Sequence, residues 1–542
     1  VTPDATSCIT RLDGQSAGCC ISALQSPIFK FVLNEMSAND STTRNQRVRP
    51  AVPDKLAKII LGVILVAALG LRLYALDAGL WLDEILTYVQ YARMPFLQII
   101  STYPDQNQHF LYSLMAHASF LLFGESNWAL RLPAVLFGVA SIGAMYLFAR
   151  EVTNRREALL ASALLAFSYQ HIWFSQNARG YSGVLFWTLL ASYFFLRALD
   201  DRNAKHATRL WVLYAASCAL GVYTHLTMIF VIAAQFLIYL AVLVIRRREP
   251  SRERWRNFIL AFGLTALFTL LLHAPALPQI LTGKGLGEVS TIPEWTQPLW
   301  TVLELVRGLQ IGFTSGVVAL AAVVVFGAGA VSLLRTRPIV LALFILPCVL
   351  CAALIGGLGH HLWPRFFYFA LGVGALIVIH GAMVIGTTAA NLLKHSPSQG
   401  ILVGTALCVA LILFSATSIR FVYAPKQDYL GARAFIEQNQ ESGDAVVTVG
   451  LVSYAYQQLY KTGWTEVKSV SELNAIREHA KRTWLLYTFP PEVESVTPDI
   501  AASLPRDFKP VTQFYGSVGD GTIFVYRADN PSPTPSAAIQ SQ

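Results

Sequence analysis

The chain has 542 residues, 54% of them hydrophobic and only 13% charged, with 41 lysines and arginines against 32 aspartates and glutamates. Soluble domains carry about 25% charged residues, so the composition excludes a soluble globular fold; apolar runs of roughly 17–25 residues, long enough to cross a bilayer as a helix, recur along the chain. The net charge of +9 is not a nucleic-acid footprint, because most of the excess Lys and Arg lies in short loops between apolar runs, where the positive-inside rule places it.

Residues 1–55 read as a cytoplasmic N-terminal segment without periodicity, expected to be disordered; they hold Cys8, Cys19 and Cys20. Met36 opens the polar, basic lead-in "MSANDSTTRNQRVRP", which is the expected start of translation. No short apolar stretch followed by a small-residue cleavage site marks a signal peptide. The expected spans are 56–76, 131–149, 157–174, 180–199, 209–223, 226–245, 257–277, 315–334, 339–357, 364–387 and 399–419. Cys218, Cys348, Cys351 and Cys408 lie inside these runs and read as small buried residues.

Loop charge sets the orientation. The basic loops are "RPAVPDKLAK" before the first span, "REVTNRRE" (150–157), "DDRNAKHATR" (200–209), "RRREPSRERWR" (246–256), "RTR" (335–337) and "KHS" (394–396). All of them fall on the cytoplasmic side if the short apolar run His109–Gly124 does not cross and instead lies at the outer interface or re-enters. That gives about eleven spans with the N-terminus inside and the C-terminus outside. After Arg420 the hydropathy changes, and "DYLGARAFIEQNQESGDAVVTVG", "TWLLYTF" and "GTIFVYRA" read as helix, turn and strands. Residues 420–530 are therefore expected to be an exoplasmic α/β domain, followed by a disordered tail at 531–542.

The outer side collects a specific set of side chains. Asp83 and Glu84, in "GLWLDEILTY", follow the first span and open a helix that Pro95 stops. They suit either an N-cap with a favourable dipole partner or a base or metal ligand at the membrane boundary. Arg179 and Arg365 sit at outer span ends, against the positive-inside trend, with Tyr181 and Tyr368 beside them. Such arginines either anchor at the interface or grip a lipid-linked phosphate through several hydrogen bonds. His109, His225, His360 and His361 also face outward, but no H-x-x-H spacing builds a metal cage, so they read as hydrogen-bonding partners and no metal site is expected from them. The set points to chemistry on a phosphate-bearing lipid. There is no P-loop, so the energy must arrive with the substrate.

These residues resemble a known family. "GLWLDE", "NQHFLYSLMAHASFLLFGESNWALRLPAVLFGVASIGAMYLFAREV" and "ALLASALLAFSYQHIWFSQNARGYS" look like the N-terminal half of the bacterial GT-C glycosyltransferases, the protein O-mannosyltransferase and aminoarabinose–lipid A transferase superfamily. "HHLWPRFFYFALG" and "DYLGARAFIEQNQESGDAVV" resemble its later membrane segment and the start of its exoplasmic domain. The resemblance covers residues 56–450 and is strongest over 79–190. It implies a polytopic α-helical membrane fold of about 11–13 helices, with residues 56–419 as the transferase domain and 77–130 as its outer loop. It also implies transfer of a sugar, with inversion, from a polyprenyl-phosphate donor to a glycan, lipid or protein acceptor at the outer face of the cytoplasmic membrane. By resemblance Asp83 is the base and Glu84 its support or a ligand; His109, Gln176, Arg179, Tyr181, His225 and Arg365 line the donor site. Asn177 departs from the family, where an acidic residue is common, which weakens a divalent metal while leaving one open.

Three other readings compete. A transporter or flippase for a lipid-linked glycan would show inverted repeats and mid-membrane charge, and the hydropathy shows neither. A ligase would move a whole glycan. A scaffold would use only the outer domain.

Overall fold

The computed structural model describes residues 52–200, 204–245, 252–282, 298–309 and 316–530. The expected N-terminal segment with Met36 and its three cysteines, the outer stretch 283–297, most of the 246–256 loop and the tail lie outside the described residues.

Helix α1 (Asp54–Leu73) leads into the short α2 (Leu82–Leu86), which continues as a π-helical turn to Ala92. Then come α3 (Phe96–Ser101), α4 (Phe110–Phe123) and the long α5 (Asn127–Val152). The expected span 157–174 forms two pieces, α6 (Arg155–Ala166) and α7 (Tyr169–Ser175), broken at Phe167 and Ser168. Next are α8 (Tyr181–Asp200), α9 (Ala204–Thr224), α10 (Met228–Ile245) and α11 (Arg252–His273), which runs through a 3-10 turn into α12 (Leu277–Thr282). The remaining membrane region holds α13 (Pro298–Leu309), α14 (Gly316–Thr336), α15 (Pro338–Gly357), a 3-10 segment Pro364–Ala370 running into α16 (Leu371–Leu392), and α17 (Pro397–Ala416).

Among the described residues, seven helical stretches are long and apolar enough to cross a membrane, and Phe110–Phe123, Met228–Val244 and Leu320–Thr336 are shorter apolar helices. The protein is a multi-pass membrane protein. Helix α4 has 14 residues, about 21 Å of rise at about 1.5 Å per residue, less than the roughly 30 Å hydrocarbon core. Side-chain caps set several helix starts. Ser126 Oγ accepts from the Ala129 N–H, Asn154 Oδ1 from those of Arg156 and Glu157, and Ser396 forms a capping box with Gln399 ahead of Pro397. Small residues let the membrane helices touch: a Cβ on Gly386 of α16 would collide with the backbone of Gly404 in α17.

Asp428 caps α18 (Tyr429–Asn439), which opens the C-terminal α/β unit. Its five strands are β1 (Ala445–Val449), β2 (Thr465–Glu466), β3 (Arg482–Tyr487), β4 (Lys509–Phe514) and β5 (Ile523–Asp529), in the order β2-β1-β3-β5-β4. β1 is parallel to β2 and β3, while β5 is antiparallel to β3 and β4. The strict alternation of β3 sorts its side chains between two cores. Leu485 and Tyr487 pack with Val493, Ile500 and Leu504 on one face. Trp484 and Leu486 share the other face with Tyr429 and with Leu80, Ile85, Tyr112 and Ala129 of the membrane region. The sheet is thus packed directly onto the loop that carries Asp83 and Glu84.

Candidate active site

Glu84 is completely buried, and Arg131 of α5 holds it. All five N–H donors of a guanidinium are used: Nε to Glu84 Oε1 at 2.7 Å, Nη2 to Glu84 Oε2 at 2.5 Å, and the others to the carbonyls of Leu76, Ala78 and Gly79. The Ala178 N–H adds a second bond to Oε1 at 2.7 Å, the Trp81 N–H donates to Oε2 at 3.4 Å, and Lys426 Nζ lies 4.0 Å from Oε2. Burial works to raise the Glu84 carboxyl pKa. Arg131 and Lys426, with the hydrogen bonds, outweigh it and hold the carboxyl below its ordinary value. Glu84 therefore locks the turn between α1 and α2 to α5 and to the start of "ARGY".

Asp83, one residue earlier, is held differently. Its Oδ2 lies 3.7 Å from Arg365 Nη2 and 4.0 Å from Arg179 Nε, beyond hydrogen-bonding distance of either. Asp83 Oδ2, Arg179 Nε and Arg365 Nε are all buried and have no hydrogen-bond partner among the described residues. Each arginine is fixed by other contacts. Arg179 Nη1 and Nη2 donate to the backbone and side-chain oxygens of Asn107 at 2.9 and 3.0 Å. The Arg365 guanidinium stacks on Trp363 at 4.6 Å and reaches Trp81 at 5.9 Å. One carboxylate oxygen and two pre-positioned cations thus face a common space.

The remaining expected residues divide into two groups. His109, Tyr181 and His225 form a ring cluster next to Arg179, with centroids 4.5 Å apart for the two histidines and 4.7 Å for Tyr181 and His225. His109 Nδ1 accepts the Gly180 N–H at 2.8 Å, which leaves its proton on Nε2. Burial, then Arg179, His225 and Arg365, hold His109 well below the usual histidine range; burial and the same two arginines bring His225 down to about 3. Both rings are neutral near pH 7. Gly180 is required by space, because a Cβ there would strike the Thr224 carbonyl oxygen. Gln176, by contrast, points away: its Nε2 donates to the carbonyls of Arg72 and Tyr74 at 3.0 and 2.6 Å, tying down the end of α1. His361, expected only as a hydrogen-bonding partner, is held at about 4 by burial and by Arg365 and His360.

Several residues in and around the site carry little sequence signal. Arg131 lies inside an apolar span, Lys426 in the linker "YAPKQDY", and Arg72 at the end of α1, where it bonds the Ala68 and Ala166 carbonyls and His171. A charge placed inside or against lipid-length sequence is the one available hint. Asn177 accepts from Trp81 Nε1 at 3.1 Å. The donor set does not fit a divalent cation. Glu84 is saturated, the Asn177 amide oxygen already accepts from Trp81 Nε1, and Asp83 is a lone anion between two guanidinium groups. Among the described residues, no group of three or more His, Cys, Asp or Glu comes together.

Residues 107–276 match the family model "Dolichyl-phosphate-mannose-protein mannosyltransferase". The fold is similar to that of the archaeal oligosaccharyltransferase AglB from Archaeoglobus fulgidus in complex with an inhibitory peptide and a dolichol-phosphate, at 13% identity and a TM-score of 0.52, covering 89% of this chain and 75% of that one. The apo form of the Archaeoglobus fulgidus oligosaccharyltransferase gives 12% identity, a TM-score of 0.53 and coverage of 89% and 76%. ArnT from Cupriavidus metallidurans in the apo state gives 13%, 0.49, 86% and 97%. No curated protein matches the sequence. At 12 and 13% identity, the likeness to the oligosaccharyltransferases is one of fold. The family match is confined to the region from Asn107 through α11.

Proposed function

We propose that the protein moves a sugar from a polyprenyl-phosphate donor to an acceptor at the outer face of the cytoplasmic membrane. The observation that carries this is the contrast between the two adjacent carboxylates: Glu84 is fully bonded, while Asp83 Oδ2 is unbonded and 3.7 and 4.0 Å from two fixed arginines. Such a pairing suits a base beside a departing phosphate. Asp83 Oδ2 takes the proton of the acceptor hydroxyl. The acceptor oxygen attacks the anomeric carbon from the face opposite the phosphate, the bond from that carbon to the phosphate oxygen breaks, and its electron pair leaves with the phosphate. The configuration inverts. Arg365 and Arg179 stabilise the charge developing on the leaving phosphate. The Nε2–H of neutral His109 offers a donor to the sugar or phosphate without adding charge. Glu84 and Gln176 position the segment and make no contact with the reacting atoms. No step runs through a metal.

Two features support the outward orientation. Arg155 Nη1, at the start of α6, donates to the Val52 carbonyl at 3.3 Å, so two basic segments share one side. The sheet unit and Asp83 share the other.

The test is mass spectrometry of surface glycoconjugates from a deletion strain carrying wild type or Asp83→Ala. Loss of one sugar mass on deletion, restored only by wild type, supports the assignment and identifies the sugar and acceptor together. Full restoration by Asp83→Ala overturns the base. Loss of an entire glycan would instead indicate a ligase.

A further inference from the structure

The segment joining α17 to α18 enters the site. Lys426 and Gln427 are both buried, and each makes a bond across to the membrane region, Gln427 to its outer loop and Lys426 to the residue that ends α7. Gln427 Oε1 accepts the backbone N–H of Leu82 at 3.0 Å. Leu82 is the first residue of α2, and its N–H is one of those a helix start leaves without an internal partner. Trp81, the residue before it, supplies no side-chain cap bond. A side chain 345 residues away in sequence therefore does the work of a cap for the helix that carries Asp83. Lys426 Nζ donates to the Gln176 carbonyl at 2.7 Å, stands 4.0 Å from Glu84 Oε2 and lies over the Trp173 ring at 5.4 Å. It thus bridges the segment bearing Arg179 to the residue beside Asp83.

The pair is itself clamped by the sheet unit. Gln427 Nε2 donates to Thr488 Oγ1, and the Tyr429 hydroxyl donates to Gln427 Oε1. The Lys426 carbonyl accepts from the Val518 N–H, and the Pro425 carbonyl from the Ser517 N–H. Ser517 Oγ in turn accepts from Trp173 Nε1 at 3.0 Å. A Cβ on Gly516 would collide with the Lys426 carbonyl, so the 515–518 turn is fitted to this linker.

We infer that Lys426 and Gln427 are positioning residues for Asp83, and that the C-terminal unit completes the active site instead of serving as an accessory binding module. The inference rests on Asp83 acting as proposed. Neither side chain touches the reacting atoms. Gln427 fixes the start of α2, and Lys426 fixes the distance between α2 and the Arg179 segment. A base must sit within hydrogen-bond reach of the proton it takes, so a shift of about 1 Å is enough to cost about a hundredfold in rate.

Lys426→Met and Gln427→Leu test this alongside Asp83→Asn. Transfer product is measured by mass spectrometry in the complemented deletion strain at matched membrane abundance. Binding of undecaprenyl phosphate is measured on each purified full-length protein in nanodiscs. The expected result is a fall in product of at least about tenfold for both linker variants, with undecaprenyl phosphate affinity within threefold of wild type. Wild-type product from both linker variants, with none from Asp83→Asn, overturns the positioning role and leaves the base intact. Product that falls only as far as membrane abundance does, or as far as carrier affinity does, also overturns it. Normal product from Asp83→Asn defeats the underlying reading instead.

Discussion

Replacing Arg131 by methionine isolates the contact on which the site is built. The change keeps an unbranched apolar stem but removes five hydrogen bonds: two to Glu84 and three to the carbonyls of Leu76, Ala78 and Gly79. Glu84 remains completely buried, with the Ala178 N–H, the Trp81 N–H at 3.4 Å and a lysine 4.0 Å away as its remaining partners. Removing one member of a buried ion pair costs about 3–5 kcal/mol, because the partner charge stays desolvated. That is a large share of the about 5–15 kcal/mol that holds a typical domain together. The expected outcome is a marked fall in melting temperature and in yield of folded protein from detergent extraction. Adding Glu84→Gln removes the stranded charge, so the double variant should recover part of the loss, with a coupling of about 1–3 kcal/mol. Two results would refute the reasoning: an Arg131→Met protein within about 1 kcal/mol of wild type, or a double variant whose losses simply add.

Three further outcomes are expected. Arg365→Ala should weaken undecaprenyl phosphate binding about tenfold or more, since charge-assisted bonds contribute about 1.5–3 kcal/mol; unchanged affinity in nanodiscs would reduce Arg365 to an interfacial anchor. Gly180→Ala should destabilise the protein by about 1–3 kcal/mol and loosen the His109 contact, read as a lower melting temperature. The third concerns pH. Burial, opposed by Glu84, brings Lys426 from its ordinary 10.5 down to about 7. Below pH 7 folded and unfolded chains both hold this proton, and its burial penalty is fully present. Between pH 7 and 10.5 the unfolded chain holds more protons, so stability rises with pH. Melting temperature should therefore climb from pH 7 to 9 in wild type relative to Lys426→Met, and parallel pH curves for the two proteins would contradict this.

Much of the architecture was written locally. Lipid-length apolar runs marked the membrane helices, and the short apolar run in "TWLLYTF" marked β3, a strand buried on both faces. The outward set around Asp83 was legible for a related reason. Charge beside a membrane span is costly, so Asp83, Glu84, Arg179 and Arg365 stood out against their neighbours. What those residues do to one another was not legible. Charge and spacing treat Asp83 and Glu84 alike, as two acids at one helix start, and resemblance alone gave them different roles. The tertiary structure supplies a physical difference, because Arg131 and the Ala178 N–H arrive from 47 and 94 residues away and bond Glu84 alone. Gln176 and Arg179 likewise share one motif, yet the turn at Asn177 and Ala178 sends Gln176 back to α1 and Arg179 toward Asp83. The Gln427 bond to Leu82 lies furthest from any sequence signal. Hydrophobic period and helix propensity are short-range properties recorded in neighbouring residues, whereas a hydrogen bond across the fold leaves no trace until packing brings its two ends together.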